Sequence, residues 1–229
     1  FGGGMTMNIS VVRQILEWNE EKSGEIAALL REKNVFMINL MGSPGAGKTS
    51  LIAALSEKLS GEYRIGVIEG DIAGKIDAER IESLGLPVVQ LNTDGACHIE
   101  AMSIEASLSH LDLGALDVLI VENIGNLVCP AEFDLGEDMR LAILSVPEGD
   151  DKIEKYPLLF SRAHALVLSK SDMLPYFEFD RTRVEGSLRA INPHAKVFPV
   201  NSKSGDGIDA LCAFVCEKID QKIGKRGAR

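Results

Sequence analysis

The chain has 229 residues, a formal net charge of −10 and a pI near 5.0. This length accommodates one substantial α/β domain. The acidic balance disfavours nucleic-acid binding, and no apolar run of about 18 residues predicts a membrane span. The start of the chain lacks a secretory pattern, so the four cysteines are interpreted as free thiols of a cytoplasmic protein.

In chain order, the sequence predicts an N-terminal helical extension over residues 1–34 and one domain over 35–229. The opening FGGG of residues 1–4 is interpreted as a cloning remnant, and apolar residues at helical spacing predict a helix within 9–34. Strands are then predicted within 35–42, 64–71, 87–93, 115–125, 139–149, 164–172 and 196–203, and helices within 48–61, 76–85, 99–111, 182–191 and 207–223. Because strands alternate with helices, the expected fold is a doubly wound α/β domain with a mostly parallel sheet.

A phosphate-binding motif joins the first predicted strand to the next helix. GSPGAGKTS (42–50) matches G-x-x-x-x-G-K-[ST], the P-loop of NTPases. Its glycines let backbone amides face phosphate oxygens, Lys48 reaches the β and γ phosphates, and the Thr49 hydroxyl ligates Mg²⁺. The residues predicted to bind the nucleotide here are Gly42, Ser43, Gly45, Ala46, Gly47, Lys48, Thr49 and Ser50.

Two later loops favour GTP over ATP. SKSD ends a predicted strand, with Lys170 to stack on the base and Asp172 to accept from guanine N1 and its amine. A carboxylate there faces an acceptor in adenine, which would leave its charge unpaired. Ser202 and Lys203 follow the last strand, where GTPases carry S-A-K. The backbone N–H of Ser202 is predicted to approach guanine O6. Ser169 stands where GTPases carry Asn or Thr, which removes an amide that braces the loop.

Acidic residues at strand ends are candidates for the Mg²⁺ shell and for catalysis. Asp71 is the first choice and Glu122 the second, acting with Lys48. Mg²⁺ takes one or two carboxylates and keeps water and phosphate as its other ligands. Asp77 is equally explained as an acidic residue at a helix N-terminus.

Cys97 and His98 are adjacent in a glycine-containing segment. From the residues alone they are metal ligands, a nucleophile with its base, or neither, and spacing does not decide. Cys212 and Cys216 lie on an apolar helix stripe and are predicted to pack in the core. The other histidines are predicted to be structural.

A series of segments closely resembles the nickel-inserting GTPases of hydrogenase maturation, the HypB family, over roughly residues 35–212: GSPGAGKTSL, EGDIAGKIDAERI, LNTDGACHIEA, VENIGNLVCPAEFDLGE and SKSD. The resemblance implies a GTPase that dimerises with nucleotide or metal and holds Ni²⁺ or Zn²⁺ on Cys97, His98 and Cys129. It also implies a HypA-type metallochaperone partner and delivery of nickel to the hydrogenase large-subunit precursor. Residues 122–129 would then connect the two sites.

Two features depart from this family's pattern. No Cys-rich or His-rich segment precedes residue 35, so high-affinity nickel storage there is not expected, and Glu100 stands where Asp is common. Hydrolysis by the protein alone is expected to be slow, because no arginine finger is identifiable.

Three other functions fit parts of the sequence. A urease or cobalamin-enzyme accessory GTPase shares the P-loop, although CHIE and NLVCP argue against it. An ATP-dependent small-molecule kinase leaves SKSD and NSKSG without a role. A metal store with a structural nucleotide would keep its function after loss of Lys48.

Overall fold

A seven-stranded parallel sheet forms the centre of the protein. The structure, a computed structural model, describes residues 6–70, 81–92 and 95–224, with side chains from residue 14 onward. The strands in chain order are β1 Phe36–Gly42, β2 Ile65–Glu69, β3 Val88–Gln90, β4 Val118–Glu122, β5 Met139–Ser145, β6 Ala165–Ser169 and β7 Lys196–Pro199. Every strand pair is parallel, and the order across the sheet is β3-β2-β4-β1-β5-β6-β7.

Helices cover both faces of this sheet. Those in the described residues are α1 Thr6–Glu32, α2 Lys48–Leu59, α3 Ala101–Leu108, α4 Lys152–Lys155, α5 Pro157–Ser161, α6 Arg181–Ile191 and α7 Ile208–Ile223. None of them has the length and apolarity of a membrane-crossing helix. The doubly wound α/β fold with an N-terminal helix is therefore confirmed.

The strands are shorter in the structure than the segments that predicted them, and two cases have a clear cause. The strand predicted over 115–125 ends at Glu122, because the next residues leave the ladder for contacts described below. The strand predicted over 139–149 ends at Ser145, whose side chain and that of Glu148 form a capping box around a 3₁₀ turn. Most of the helix predicted over 76–85 lies outside the described residues.

The two faces of β1 pack on different helices. Ile38 and Leu40 pack in one core cluster with residues of α2 and α7. Met37 faces the other way, into a cluster that contains Ile26 and Leu30 of α1. This alternation follows from the two-residue side-chain period of a strand. The second half of the N-terminal helix is thus part of the protein core.

The parallel sheet brings the sequence motifs to one edge. The P-loop follows β1, Glu122 ends β4, Lys170 follows β6, and Asn201 comes shortly after β7. Parallel strands end at the same edge, and open α/β sheets bind ligands outside their carboxyl ends. The candidate site is therefore built on the loops of this edge.

Candidate nucleotide and metal sites

The P-loop has the backbone shape that phosphate binding requires. Gly45 and Gly47 adopt φ angles of 74° and 96°, which side chains rarely tolerate. A Cβ on Gly42 would lie 2.8 Å from the carbonyl oxygen of Ile143. Helix α2 begins at Lys48 without a side-chain cap, so its first amides are available to an anion at this end.

Two predicted phosphate-site residues are buried at the start of α2. Lys48 is 3% exposed, and its Nζ lies 3.3 Å from the carbonyl oxygen of Ser43 within the loop. The Thr49 hydroxyl donates a 2.9 Å hydrogen bond to Oε1 of the buried Glu122. A Mg²⁺ ion bound to the Thr49 hydroxyl would therefore lie within reach of the Glu122 carboxylate. Asp71 and Asp77 lie outside the described residues.

A cavity of about 140 Å³ adjoins the P-loop on the side of β6 and β7. Its walls include the four residues predicted to recognise the base, together with Met173, which the sequence analysis missed. The complete lining is Gly47, Ser50, Ser169, Lys170, Asp172, Met173, Asn201, Ser202 and Lys203. Met173 directly follows the SKSD motif, so its position after the carboxylate was the available signal.

Ser169 braces the P-loop with its hydroxyl. This side chain is 3% exposed and donates a 2.6 Å hydrogen bond to the carbonyl oxygen of Ala46. Lys170 adopts a φ of 54°, and its Nζ donates to the carbonyl oxygen of Gly45 at 2.8 Å. Ser169 lacks the amide that GTPases carry at this position, and its short hydroxyl contacts the P-loop instead.

The structure brings Cys129 to the adjacent Cys97–His98 pair. The two sulfur atoms lie 3.1 Å apart, Cys97 Sγ lies 3.5 Å from His98 Nδ1, and one ligand atom from each residue falls within a 4.8 Å group. The hydrogen bond with Cys97, together with burial, raises the pKa of the Cys129 thiol. Two thiols and an imidazole suit borderline metals such as Ni²⁺ and Zn²⁺, and thiols lose protons on metal binding.

Two further side chains contact the imidazole of His98. The ring of Phe133 stacks on it, with a centroid separation of 3.9 Å and an interplanar angle of 26°. The other ring nitrogen, Nε2, lies 3.5 Å from Oε1 of Glu100. Metal-binding histidines are commonly oriented by a carboxylate or carbonyl at the second nitrogen. Phe133 was not found from the sequence, since its separation from residue 98 carries no local pattern.

Asn126 connects the P-loop to the Cys97 segment. Its backbone amide donates to the carbonyl oxygen of Gly42 at 3.1 Å, and its Nδ2 donates to the carbonyl oxygen of Cys97 at 3.2 Å. Beside it, a Cβ on Gly125 would lie within 2.7 to 2.9 Å of three atoms of Pro44, so this close approach requires glycine. The residues between Glu122 and Cys129 therefore touch both candidate sites.

The remaining cysteines lie away from this group. Cys212 and Cys216 lie on α7 and pack against the core, with sulfur atoms 4.0 Å apart. His164 accepts a 3.0 Å hydrogen bond from the amide of Arg140, which is a structural role. Within the described ranges, the metal-ligand group includes neither His110 nor His194.

Known proteins are similar to this chain in sequence and in fold. The family described as CobW/HypB/UreG, nucleotide-binding domain, matches residues 36–199. The hydrogenase/urease maturation factor HypB of Helicobacter hepaticus is 40% identical over 218 residues, 93% of this chain and 89% of that protein. The crystal structure of HypB from Helicobacter pylori in complex with nickel has a TM-score of 0.84 at 35% identity, covering 92% of this chain and 99% of that one. For hydrogenase maturation factor HypB from Archaeoglobus fulgidus the TM-score is 0.84 at 33% identity, with 89% and 99% covered.

Proposed function

The chain belongs to the CobW/HypB/UreG family and, within it, to the HypB maturation factors, and from this premise we propose that it is a GTP-hydrolysing metallochaperone for nickel. In this proposal Cys97, His98 and Cys129 hold the metal, which is delivered to a hydrogenase large-subunit precursor. The observation that carries the proposal is the convergence of these three side chains beside a P-loop.

GTP is the proposed nucleotide because of the cavity beside the P-loop. Asp172 supplies a carboxylate for guanine N1 and its amine, and the backbone at Ser202 approaches O6. The aliphatic part of Lys170 lines the same cavity and packs on the base. The hydrogen bond from Ser169 to Ala46 holds the base loop against the phosphate loop. ATP would place an acceptor against Asp172.

Lys48, Thr49 and Glu122 are the proposed hydrolytic residues in the described part of the chain. Lys48 and the amides of α2 stabilise charge that develops on the phosphates. Thr49 and a carboxylate, Glu122 or Asp71, would hold Mg²⁺, which when bound neutralises phosphate charge.

Nickel is the proposed cargo, with zinc as a second ion for the same ligands. Softer thiolate and imidazole ligands accept both metals, and a raised Cys129 pKa means that binding releases a proton at neutral pH. We propose that the protein acts in the cytoplasm as a nucleotide- or metal-promoted homodimer with a HypA-type partner. Delivery to urease is the second candidate function, because the Helicobacter hepaticus relative is named a hydrogenase/urease maturation factor.

A metal titration tests the proposal. Nickel is added to the wild type and to Cys129→Ala, each with GDP or with a non-hydrolysable GTP analogue, while thiolate-to-nickel absorbance and oligomeric state are followed. We expect tight binding that depends on the nucleotide and is lost in Cys129→Ala. The matched control is Cys212→Ala, which removes a thiol on α7 that packs against the core. This variant should bind nickel as the wild type does. Equal weak binding in all samples would refute the metal function.

A nucleotide competition tests the base assignment independently. In Asp172→Asn the side-chain amide donates to the extra carbonyl of xanthine and no longer accepts from the guanine amine. We therefore expect GTP affinity to fall and XTP affinity to rise. Retention of GTP binding, or equal binding of ATP by the wild type, would contradict the assignment.

A further inference from the structure

Three polar side chains are buried beneath the sheet edge that carries both sites. Asn39, in the middle of β1, and Asn123, just after β4, are both 0% exposed. The side chain of Glu137 is 1% exposed. In β1 the apolar pattern FMI-LM is interrupted only by Asn39. A buried amide costs free energy unless it is hydrogen-bonded, so a polar residue at this position has to find partners.

These three side chains bond to one another in a line, which we name the buried brace. Asn123 Nδ2 donates to Asn39 Oδ1 at 3.2 Å, and Asn39 Nδ2 donates to Glu137 Oε1 at 3.1 Å. Glu137 also accepts from the amide of Leu135 at 2.8 Å and forms an ion pair with Arg140, which lies opposite Asn39 in the β1–β5 ladder. The brace therefore extends from the end of β4 to the start of β5.

One end of the brace fixes the backbone beside the nucleotide site. Asn123 Oδ1 accepts from the amide of Ile124 at 2.9 Å, and the Asn123 amide donates to the carbonyl oxygen of Leu40 at 3.0 Å. Asn123 stands between Glu122, which contacts Thr49, and Gly125, which lies against Pro44. A shift of this backbone would therefore move both contacts with the P-loop.

The other end lies in the segment 131–137, which touches the metal group. Within this segment, Glu137 accepts from the backbone amide of Leu135, two residues before it. The same segment carries Phe133, which stacks on His98. Both ends of residues 122–137 are thus tied to one buried amide, Asn39. The outer end, at Arg140, opens onto a cleft of about 1000 Å³.

We propose that Asn39, Asn123 and Glu137 are positioning residues that couple nucleotide state to metal affinity. None of them is part of the metal group or lines the base cavity; they keep residues 122–137 rigid, so that a change at Glu122 moves Cys129 and Phe133 instead of being absorbed locally. This inference rests on the proposed function. It adds to that function the element that transmits the change.

A ratio of metal affinities tests the brace. The nickel dissociation constant is measured with GDP and with a non-hydrolysable GTP analogue, for the wild type, Asn39→Leu and Glu137→Gln. Asn39→Leu removes both central hydrogen bonds, and Glu137→Gln alters the far end at nearly constant size. We expect the wild-type ratio of the two constants to depart from one by a factor in the range of about 5 to 150. In both variants the ratio should return to near one, while nickel still binds.

Ile38→Val is the matched control, because it removes a buried methylene from β1 on the opposite face of the sheet. A residue that is only structural weakens nickel binding by the same factor with both nucleotides, which leaves the ratio unchanged. A wild-type-like ratio in the brace variants would overturn this inference and leave the proposed function standing. A wild-type ratio of one would overturn the nucleotide coupling itself, and the brace with it. If Asn39→Leu does not fold, Glu137→Gln decides.

Discussion

At the scale of single residues, the metal group shows how contacts outside a motif complete it. Cys97 and His98 are adjacent in sequence, but the sulfur of Cys129 reaches them from a turn 32 residues away. The imidazole is then held between the ring of Phe133 and the carboxylate of Glu100. Fixed orientation of a ligand lowers the entropy lost when metal binds, so Phe133 should matter without touching the ion.

Phe133→Leu should weaken nickel binding by about tenfold, a typical effect of losing a residue that orients a metal ligand. Leucine keeps most of the apolar volume and loses the stacked ring. Competition with a coloured chelator measures the change. Phe198→Leu removes a ring in contact with Phe214, away from the metal group, and is the control. Equal affinity of Phe133→Leu and the wild type would contradict this role.

His164 should make the stability of the protein depend on pH. Burial, and next the charge of Arg140, lower its pKa, and its Nδ1 accepts from the Arg140 amide. The unfolded chain therefore binds a proton that the folded chain resists as the pH falls below about 6.5. Stability should decrease through this window and be regained as pH rises.

Urea unfolding at a series of pH values checks this prediction. In His164→Gln the slope of the free energy of unfolding against pH should be smaller below about pH 6.5. Parallel curves for the two proteins would show that His164 does not contribute.

At the scale of elements, α1 holds together the two segments that carry the proposed metal ligands. Asn19 Oδ1 accepts from the amide of Ala101 at the start of α3, directly after the Cys97–His98 segment. Its Nδ2 donates to the carbonyl oxygen of Asp134, one residue after Phe133. The approach is close, since a Cβ on Gly136 would lie 2.5 Å from the carbonyl oxygen of Ser23. The helix interpreted as an extension therefore supports the site.

Asn19→Ala should lower the free energy of unfolding by about 1 to 3 kcal/mol, because it leaves two buried backbone groups without this partner. It should also weaken nickel binding, while GDP affinity stays at the wild-type value. Denaturant unfolding and separate titrations with nickel and GDP measure these effects. Glu21→Ala, at an exposed position on the same helix, is the control. Unchanged nickel affinity would show that α1 does not support the metal group.

At the scale of the whole molecule, the sheet joins the two sites through one segment. Residues 122–129 contact Thr49 at one end, Gly42 and Cys97 in the middle, and carry Cys129 at the other end. We therefore expect binding at one site to change the surroundings of the other without a long path. The coupling is an equilibrium quantity and has to be reciprocal.

Nickel should change the affinity for the GTP analogue, relative to GDP, by the same factor by which nucleotide changes nickel affinity. Six dissociation constants measured on the same preparation close the cycle: two for nickel, one with each nucleotide, and four for the two nucleotides with and without nickel. Because dimer formation enters both directions, protein concentration is held constant. A factor of one in both directions would show that the nucleotide and metal sites are not linked.

The sequence determined the fold class and predicted most of the residues that line the candidate nucleotide site. Phosphate binding by a P-loop depends on a local backbone shape. Neighbouring residues such as Gly45, Gly47 and Lys48 specify this shape by themselves. Alternating apolar strands and helices likewise determine a parallel doubly wound sheet. Strand ends were predicted too late, because apolar residues continue past Glu122 into loop positions that the pattern does not distinguish.

Only the tertiary structure decided which distant side chains meet. The partners of Phe133, Asn126 and the buried brace carry no local signal, since they are brought together by strand order and by loops packed across the sheet edge. The same reason explains Ser169, whose short hydroxyl suffices because the fold holds Ala46 within 2.6 Å of it. Local sequence specifies backbone shape and periodicity, whereas the contacts that orient ligands depend on packing between elements far apart in the chain.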